Sequence, residues 1–303
     1  VFALSAAELR YGSFHRGDSG GFVFDASDAV ALDPELFTEG ALGGTLSEPR
    51  ALREVVRSFV AGLAGPVQRA SLILPDTWLR LIFTEVSELP RKIREREEIL
   101  RWKLKQLVPF RVEDLRITAL PVTPFPDQEE PLRMLLGFGI EVLLGQIEDA
   151  FAAADVEIGC ITNATFATLA SIEHGVAEDD LAVLVTVQDD AYTLTYFRSG
   201  EPLIYRYKEI GGMTHAGLSG AVRRDLRMTA GFVARNFSGM PLRRTFLAAP
   251  PETEEEWAGW LGEELGAPAE PLAFEHFQLT RTQVGPTWSQ TAPLLGAAGL
   301  EVR

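Results

Sequence analysis

The spacing of apolar residues changes several times along the chain, and each change predicts an element. Residues 1–4, 10–14 and 21–24 are short apolar or alternating runs broken by small residues and glycine, which predicts three strands. The period then becomes helical: Leu52, Val55, Val56, Phe59, Val60 and Leu63 recur every three or four positions. Ser47 is a prospective cap there, Pro49 suits the first turn, and Gly65 with Pro66 ends the run. Residues 70–74 form a short apolar stretch of the kind buried strands show.

The pattern from 75 to 155 has a different character. Residues 79–86 read as a strand, and Pro90 opens a strongly charged helix with Ile93, Ile99, Leu100, Leu104 and Leu107 on one stripe, ended by Pro109. Its mixed arginines, lysines and glutamates predict a solvated face laced by pairs such as Glu97 with Arg101, rather than a basic stripe for nucleic acid. Strands at 115–122 and 132–140 flank a proline- and acid-rich loop at 124–131, and a helix covers 141–154. This β-α-β-β-α order predicts a small sheet with two helices on one face.

Strand and helix alternate again at 158–161 and 163–172, and Glu178, Asp179 and Asp180 mark a link into the second half. Three strands follow at 182–187, 192–197 and 202–210. A polar corner of Gln188, Asp189 and Asp190 joins the first two, and a turn at Ser199, Gly200 and Glu201 joins the last two. Gly211 and Gly212 precede a helix at 218–236 whose expected buried side is Val222, Leu226, Met228, Phe232 and Val233. A strand at 246–248, a helix at 254–265 with Thr253 as its prospective cap, and a segment at 292–302 complete the order.

Composition narrows the function classes. The 303 residues are 46% hydrophobic, enough for two ordinary domains, and the formal charge of −15 disfavours phosphate backbones and anionic lipid as partners. The single cysteine, Cys160, excludes an internal disulfide and reads as a small buried hydrophobe. His15, His174, His215 and His276 show no ligand spacing, so no metal site is expected. No run is apolar enough to span a bilayer, and no signal peptide is evident, which points to the cytoplasm.

Two sets of residues carry a family resemblance. Leu72, Ile73, Leu74, Pro75 and Asp76, then Glu88, Leu89 and Pro90, then a helix ending in Val108, Pro109 and Phe110, resemble the type IV pilus assembly protein PilM. The strand, polar corner, strand, turn, strand and Gly-Gly order at 181–212 resembles the second phosphate-binding hairpin of the actin-like ATPases to which that family is related. The resemblance implies an α/β, actin-like (ribonuclease H-like) two-lobed fold with the extra subdomain, 1C, of the PilM and FtsA proteins. It divides the chain into 1A (1–74 and 156–178), 1C (75–155) and a second lobe (179–303) with a 2B insertion around 211–245.

The resemblance also shows what this chain lacks. In ATP-binding members each phosphate hairpin carries Asp-x-Gly, whose carboxylate holds hydrated Mg²⁺ while glycine lets backbone amides approach phosphate. The corresponding positions here are Ala3 and Ser5 in the first hairpin, and Thr186 and Gln188 in the second. The adenosine-side glycines correspond to Ala248, Ala249 and Pro250, while Gly211 and Gly212 are kept. The expectation is a pseudo-ATPase without cofactor, with Asp189 and Asp190 read as turn residues; an atypical pocket using one of them is the alternative.

For function, the resemblance implies a cytoplasmic scaffold, peripheral to the inner membrane, that binds the N-terminal tail of a PilN-like membrane protein in a groove between 1A and 1C. Other platform and motor proteins, and self-association, would be further contacts, with no nucleic acid. Leu72, Leu74, Leu81 and Phe83 are candidate groove residues, because an extended tail could pair where the two strands meet. The cytoplasmic domain of a GspL-like type II secretion protein shares this architecture and stays open as an alternative. A small-molecule kinase on the same fold ranks last for want of a general base.

Overall fold

The computed structural model describes the chain except residues 18–19, 39–41, 43, 123–130, 173–179, 189, 238, 278, 282–286 and 301–303. The expected loop at 124–130, Glu178, Asp179 and Asp189 therefore lie outside the described residues. In chain order the elements begin with β1 (Phe2–Leu4), β2 (Glu8–Arg16), β3 (Phe22–Ala31), β4 (Phe37–Thr38), β5 (Thr45–Leu46), α1 (Pro49–Gly62) and β6 (Arg69–Leu74). Next come β7 (Arg80–Val86), α2 (Ile93–Leu107), β8 (Leu115–Pro121), β9 (Leu132–Ile140) and α3 (Glu141–Ala152). Then follow β10 (Glu157–Asn163), α4 (Ala164–Ile172), β11 (Leu181–Gln188), β12 (Ala191–Arg198), β13 (Glu201–Glu209) and α5 (His215–Asn236). The last are β14 (Leu242–Ala248), α6 (Glu254–Leu265), β15 (Ala269–Pro271), β16 (Leu279–Arg281) and α7 (Trp288–Leu300).

Two main sheets result, one with strand order β10-β6-β1-β2-β3-β16 and one with β13-β12-β11-β14-β15. Alternation along β6 shows how the first is covered on both faces. Leu72 and Leu74 join the core under α1 and α3, while Ile73 packs with Ala167 of α4 and Leu294 and Ala297 of α7. On the second sheet, Val183 and Val185 face α5 and α6, and Ala182 and Leu184 face α4 and α7. The α4–α7 pair is thus shared between the sheets, and its axes approach so closely that a Cβ on Gly296 would lie 1.7 Å from the Ala167 carbonyl oxygen.

The tail of the chain crosses back to the first lobe. β16 pairs in parallel with β3, and α7 packs on α4, β2 and β6, although the sequence reading placed residues 179–303 together in the second lobe. The region expected to hold an inserted subdomain around 211–245 contains a turn, the single long helix α5 and the start of β14. Along α5, Val222, Leu226 and Val233 are buried as expected, but Met228 and Phe232 are 62% and 39% exposed because they fall on the helix flank turned from the sheet.

The middle unit keeps its β-α-β-β-α order and forms a sheet β7-β9-β8, but only one of its helices covers that sheet. Leu100 and Leu104 of α2 pack on Met134, Leu136 and Phe138, with Leu42 of the first lobe completing the cluster. The helix α3 leaves β9 without a loop and buries Leu143, Ile147 and Phe151 in the first lobe's core instead. Arg101 donates to the carbonyl oxygens of Val112 and, at 3.1 Å, Leu115, rather than pairing with Glu97. Glu48, not Ser47, holds the N-cap position of α1, and Thr253 precedes α6 without a capping bond. Cys160 is half-buried on β10, less enclosed than expected.

Candidate functional site

A cavity of about 530 Å³ opens between the lobes. Its walls come from the turn after β1, the corner between β11 and β12, the segment after β14 and the start of α7. Ala3, Ser5 and Gln188 line it together, and so do Asp190, Pro250 and Pro251. Thr186, Ala248 and Ala249 are buried behind the wall, whereas Gly211 and Gly212 sit in an exposed turn beyond it. Gly212 has φ +73°, and a Cβ on Gly211 would meet the Asp190 carboxylate at 3.0 Å, so both glycines have a local reason to be there.

The two hairpin loops spend their polar groups within the protein. Ser5 Oγ accepts from the amides of Ala7 (3.2 Å) and Glu8 (3.1 Å), an internally closed turn. The Asp190 carbonyl accepts from the amides of Ile210 (2.7 Å) and Gly211 (3.2 Å), which closes the Gly-Gly turn on the corner. Gln188 Oε1 accepts from the amide of Asp76 at 3.3 Å. The Glu8 carboxylate is engaged by Arg10 through two bonds of 3.0 Å.

Behind Gln188 lies a polar cluster that sequence reasoning missed. Asp76, in the turn that joins β6 to β7, is wholly buried. Its Oδ1 accepts from the amide of Thr165 at 3.1 Å, and its Oδ2 from the hydroxyls of Thr165 (2.5 Å), Thr193 (2.7 Å) and Tyr205 (3.0 Å). Thr165 Oγ also meets Thr186 Oγ, and Asn163 Nδ2 donates to Tyr205 Oη (3.0 Å) and the Leu79 carbonyl (3.1 Å). Asn163 additionally caps α4, its Oδ1 accepting from the Phe166 amide at 2.9 Å. Burial, then the neighbouring Asp76 carboxylate, pushes the Tyr205 phenol well above its ordinary range. The signal available in the sequence was threonine at 186 and 193 inside otherwise apolar strands.

The predicted groove residues divide into two pairs. Leu72 and Leu74 are fully buried, and β6 is paired on both edges, by β10 and β1, so neither those side chains nor that strand can receive a partner. Strand β7, carrying Leu81 and Phe83, is laddered only to β9 among the described residues, and β13 of the second lobe packs beside its other edge. Beside it is a groove of about 380 Å³ lined by Phe83, Glu85, Lys103, Leu107 and Arg133.

The same subdomain is fastened to the second lobe by two arginines. Arg133 lies 4.0 Å over the Phe83 ring and donates to the Leu203 carbonyl of β13, and burial lowers its pKa to about 10 against the opposing pull of Glu85. Arg80 pairs with Glu209 and stacks 4.3 Å from the Tyr207 ring centre.

Two sheets sharing a central helix pair around a cleft, with a hairpin from each lobe at its mouth, define an actin-like ATPase fold, and solved structures agree. The chain is similar over 97% of its length to a Bacteroides thetaiotaomicron protein described as having an actin-like ATPase fold and unknown function (TM-score 0.55, 10% identity, 93% of that chain). It is similar over 100% of its length to a structure of a PilM–PilN type IV pilus biogenesis complex (TM-score 0.77, 18% identity, 98% of that chain). A further likeness is to the cytoplasmic domain of EpsL, an inner-membrane component of the type II secretion system of Vibrio cholerae (TM-score 0.50, 13% identity, 98% and 93% covered). No protein-family model and no curated protein matches by sequence. At these identities the likenesses establish the fold. No described helix is long and apolar enough to cross a membrane.

Proposed function

We propose that this chain is a PilM-like scaffold of an inner-membrane assembly platform, which binds the tail of a PilN-like membrane protein on its cytoplasmic side. The observation that carries the reading is the end-to-end likeness to the PilM–PilN structure, three-stranded subdomain included. The groove between β7 and α2 is the docking line: a tail lying in it would set side chains against Phe83, Lys103 and Leu107, with Leu81 further along the strand. The formal charge of −15 favours a basic juxtamembrane tail. The EpsL likeness supports the same role in a type II secretion platform as the second reading.

In this reading the cleft has lost ATP. The residues present do not fit a magnesium triphosphate: Ala3 and Thr186 offer no carboxylate, and the turn amides that would cradle phosphate are engaged by Ser5 Oγ and the Asp190 carbonyl. Charge-assisted contacts are worth about 1.5–3 kcal/mol each, so losing two or three weakens binding on the order of 10²-fold at the least. The test is fluorescence anisotropy of a labelled synthetic PilN-type tail with and without Mg-ATP. Equal binding in both conditions, weakened by Phe83→Asp, supports the scaffold; no binding of any tail removes it. Micromolar affinity for a fluorescent ATP analogue would instead favour a nucleotide pocket built on Asp190, which faces the cleft.

A further inference from the structure

The Asp76 cluster has a direction that follows from counting its hydrogens. Thr165 has one hydroxyl hydrogen and gives it to Asp76, so the Thr186 hydroxyl must donate to Thr165. Tyr205 likewise gives its hydrogen to Asp76 and accepts from Asn163. Every donor then has a destination, four bonds end on the one buried carboxylate, and every donor is uncharged. Thr186, Thr193 and Tyr205 stand on β11, β12 and β13, one donor from each neighbouring strand of the second lobe. Asn163, Thr165 and Asp76 itself belong to first-lobe elements.

We propose that Asp76 is an interlobe latch, which holds the cleft at one width and the three-stranded subdomain at one angle whatever the cleft contains. Shear between the lobes would draw a buried anion away from its donors with no water to replace them, a state low-dielectric interiors penalise heavily. The turn carrying Asp76 also leads straight into β7, and its amide is held by Gln188, so the second lobe grips this connection from two sides. The Arg80 and Arg133 contacts lie along the same junction and move with it. Asp76 acts as a positioning residue, and the latch is independent of which partner the scaffold binds.

The test is a pulsed electron–electron distance measurement between spin labels at Arg57→Cys on α1 and Ala234→Cys on α5, both exposed, in a Cys160→Ser background. The parent should give one narrow distribution, unchanged by Mg-ATP. Asp76→Asn presents one oxygen and a two-hydrogen amide to a ring of donors, so it should broaden the distribution at least twofold while circular dichroism stays native. Thr193→Val and Tyr205→Phe, each removing one donor, should broaden it less, and they decide the matter if Asp76→Asn does not fold. A parent distribution that is broad or shifts with Mg-ATP overturns the latch, as does a folded variant set indistinguishable from the parent.

Discussion

Gly296→Ala should be among the most damaging single-methyl additions available to this protein. The new Cβ would sit 1.7 Å from the Ala167 carbonyl oxygen, 2.7 Å from its carbon and 3.0 Å from the Ser171 amide nitrogen, where ordinary contact begins at 3.4 Å. All three obstacles are backbone, so no rotamer change relieves them, and α4 and α7 must part by about 1.5 Å or more. Those helices support both sheets, so the displacement reaches two cores. Overpacking costs about 1–3 kcal/mol and here belongs at or beyond the upper end, while alanine regains about 1 kcal/mol of helix propensity. A net loss of about 2 kcal/mol should lower the urea midpoint by about 0.5–1 M. Gly220→Ala on α5, where a Cβ would meet nothing within 4 Å, is the control and should stabilise by about 0.5–1 kcal/mol. A Gly296→Ala protein as stable as its parent would refute the packing argument.

Arg133→Ala should cost about 2 kcal/mol in the same assay, because it strips the bond to Leu203 and the stacking on Phe83 in a nearly dry site. Glu270 is held below the usual carboxylate range, first by its hydrogen bond from Arg244 and also by His276. Its contribution is therefore present above the unfolded-state pKa near 4.5 and is lost as pH falls through the lower folded value. Denaturation from pH 7 to 3 should show the gap between parent and Glu270→Gln closing in that acid window and staying constant above it. In the peptide assay, Leu81→Asp should weaken tail binding as Phe83→Asp does, whereas Phe232→Ser, on the exposed flank of α5, should leave it unchanged; equal losses in all three would place the tail elsewhere.

Local signals made much of the architecture legible. Mostly apolar runs with a polar corner revealed the β11–β12–β13 ribbon, and of the stripe on α2 Leu100 and Leu104 are buried while Ile93 and Leu107, at its ends, are exposed. What escaped was set by distant partners. β16 is three residues long and exists because β3 offers it an edge some 250 positions earlier, so no window around it carries the information. The helix α3 was expected on the small sheet beside α2, but local pattern shows that a helix forms and not against which sheet it packs. Of the candidate site, Ala3, Ser5 and Gln188 met in the cleft because hairpin corners are read locally, while Leu72 and Leu74 were misjudged because strand order decides which edges are free. Asp76 after Pro75 looked like an ordinary turn acid; its burial depends on hydroxyls 89 to 129 residues away.

The return of β16 and α7 to the first lobe bears on how a growing polypeptide acquires this shape. Ile73 and the inner side of α4 take their cover from Leu294 and Ala297, so both halves wait for α7, more than 200 positions after β6, before either is sealed. A chain truncated before Trp288 should accordingly expose sticky surface and recruit chaperones, and one that includes α7 should not.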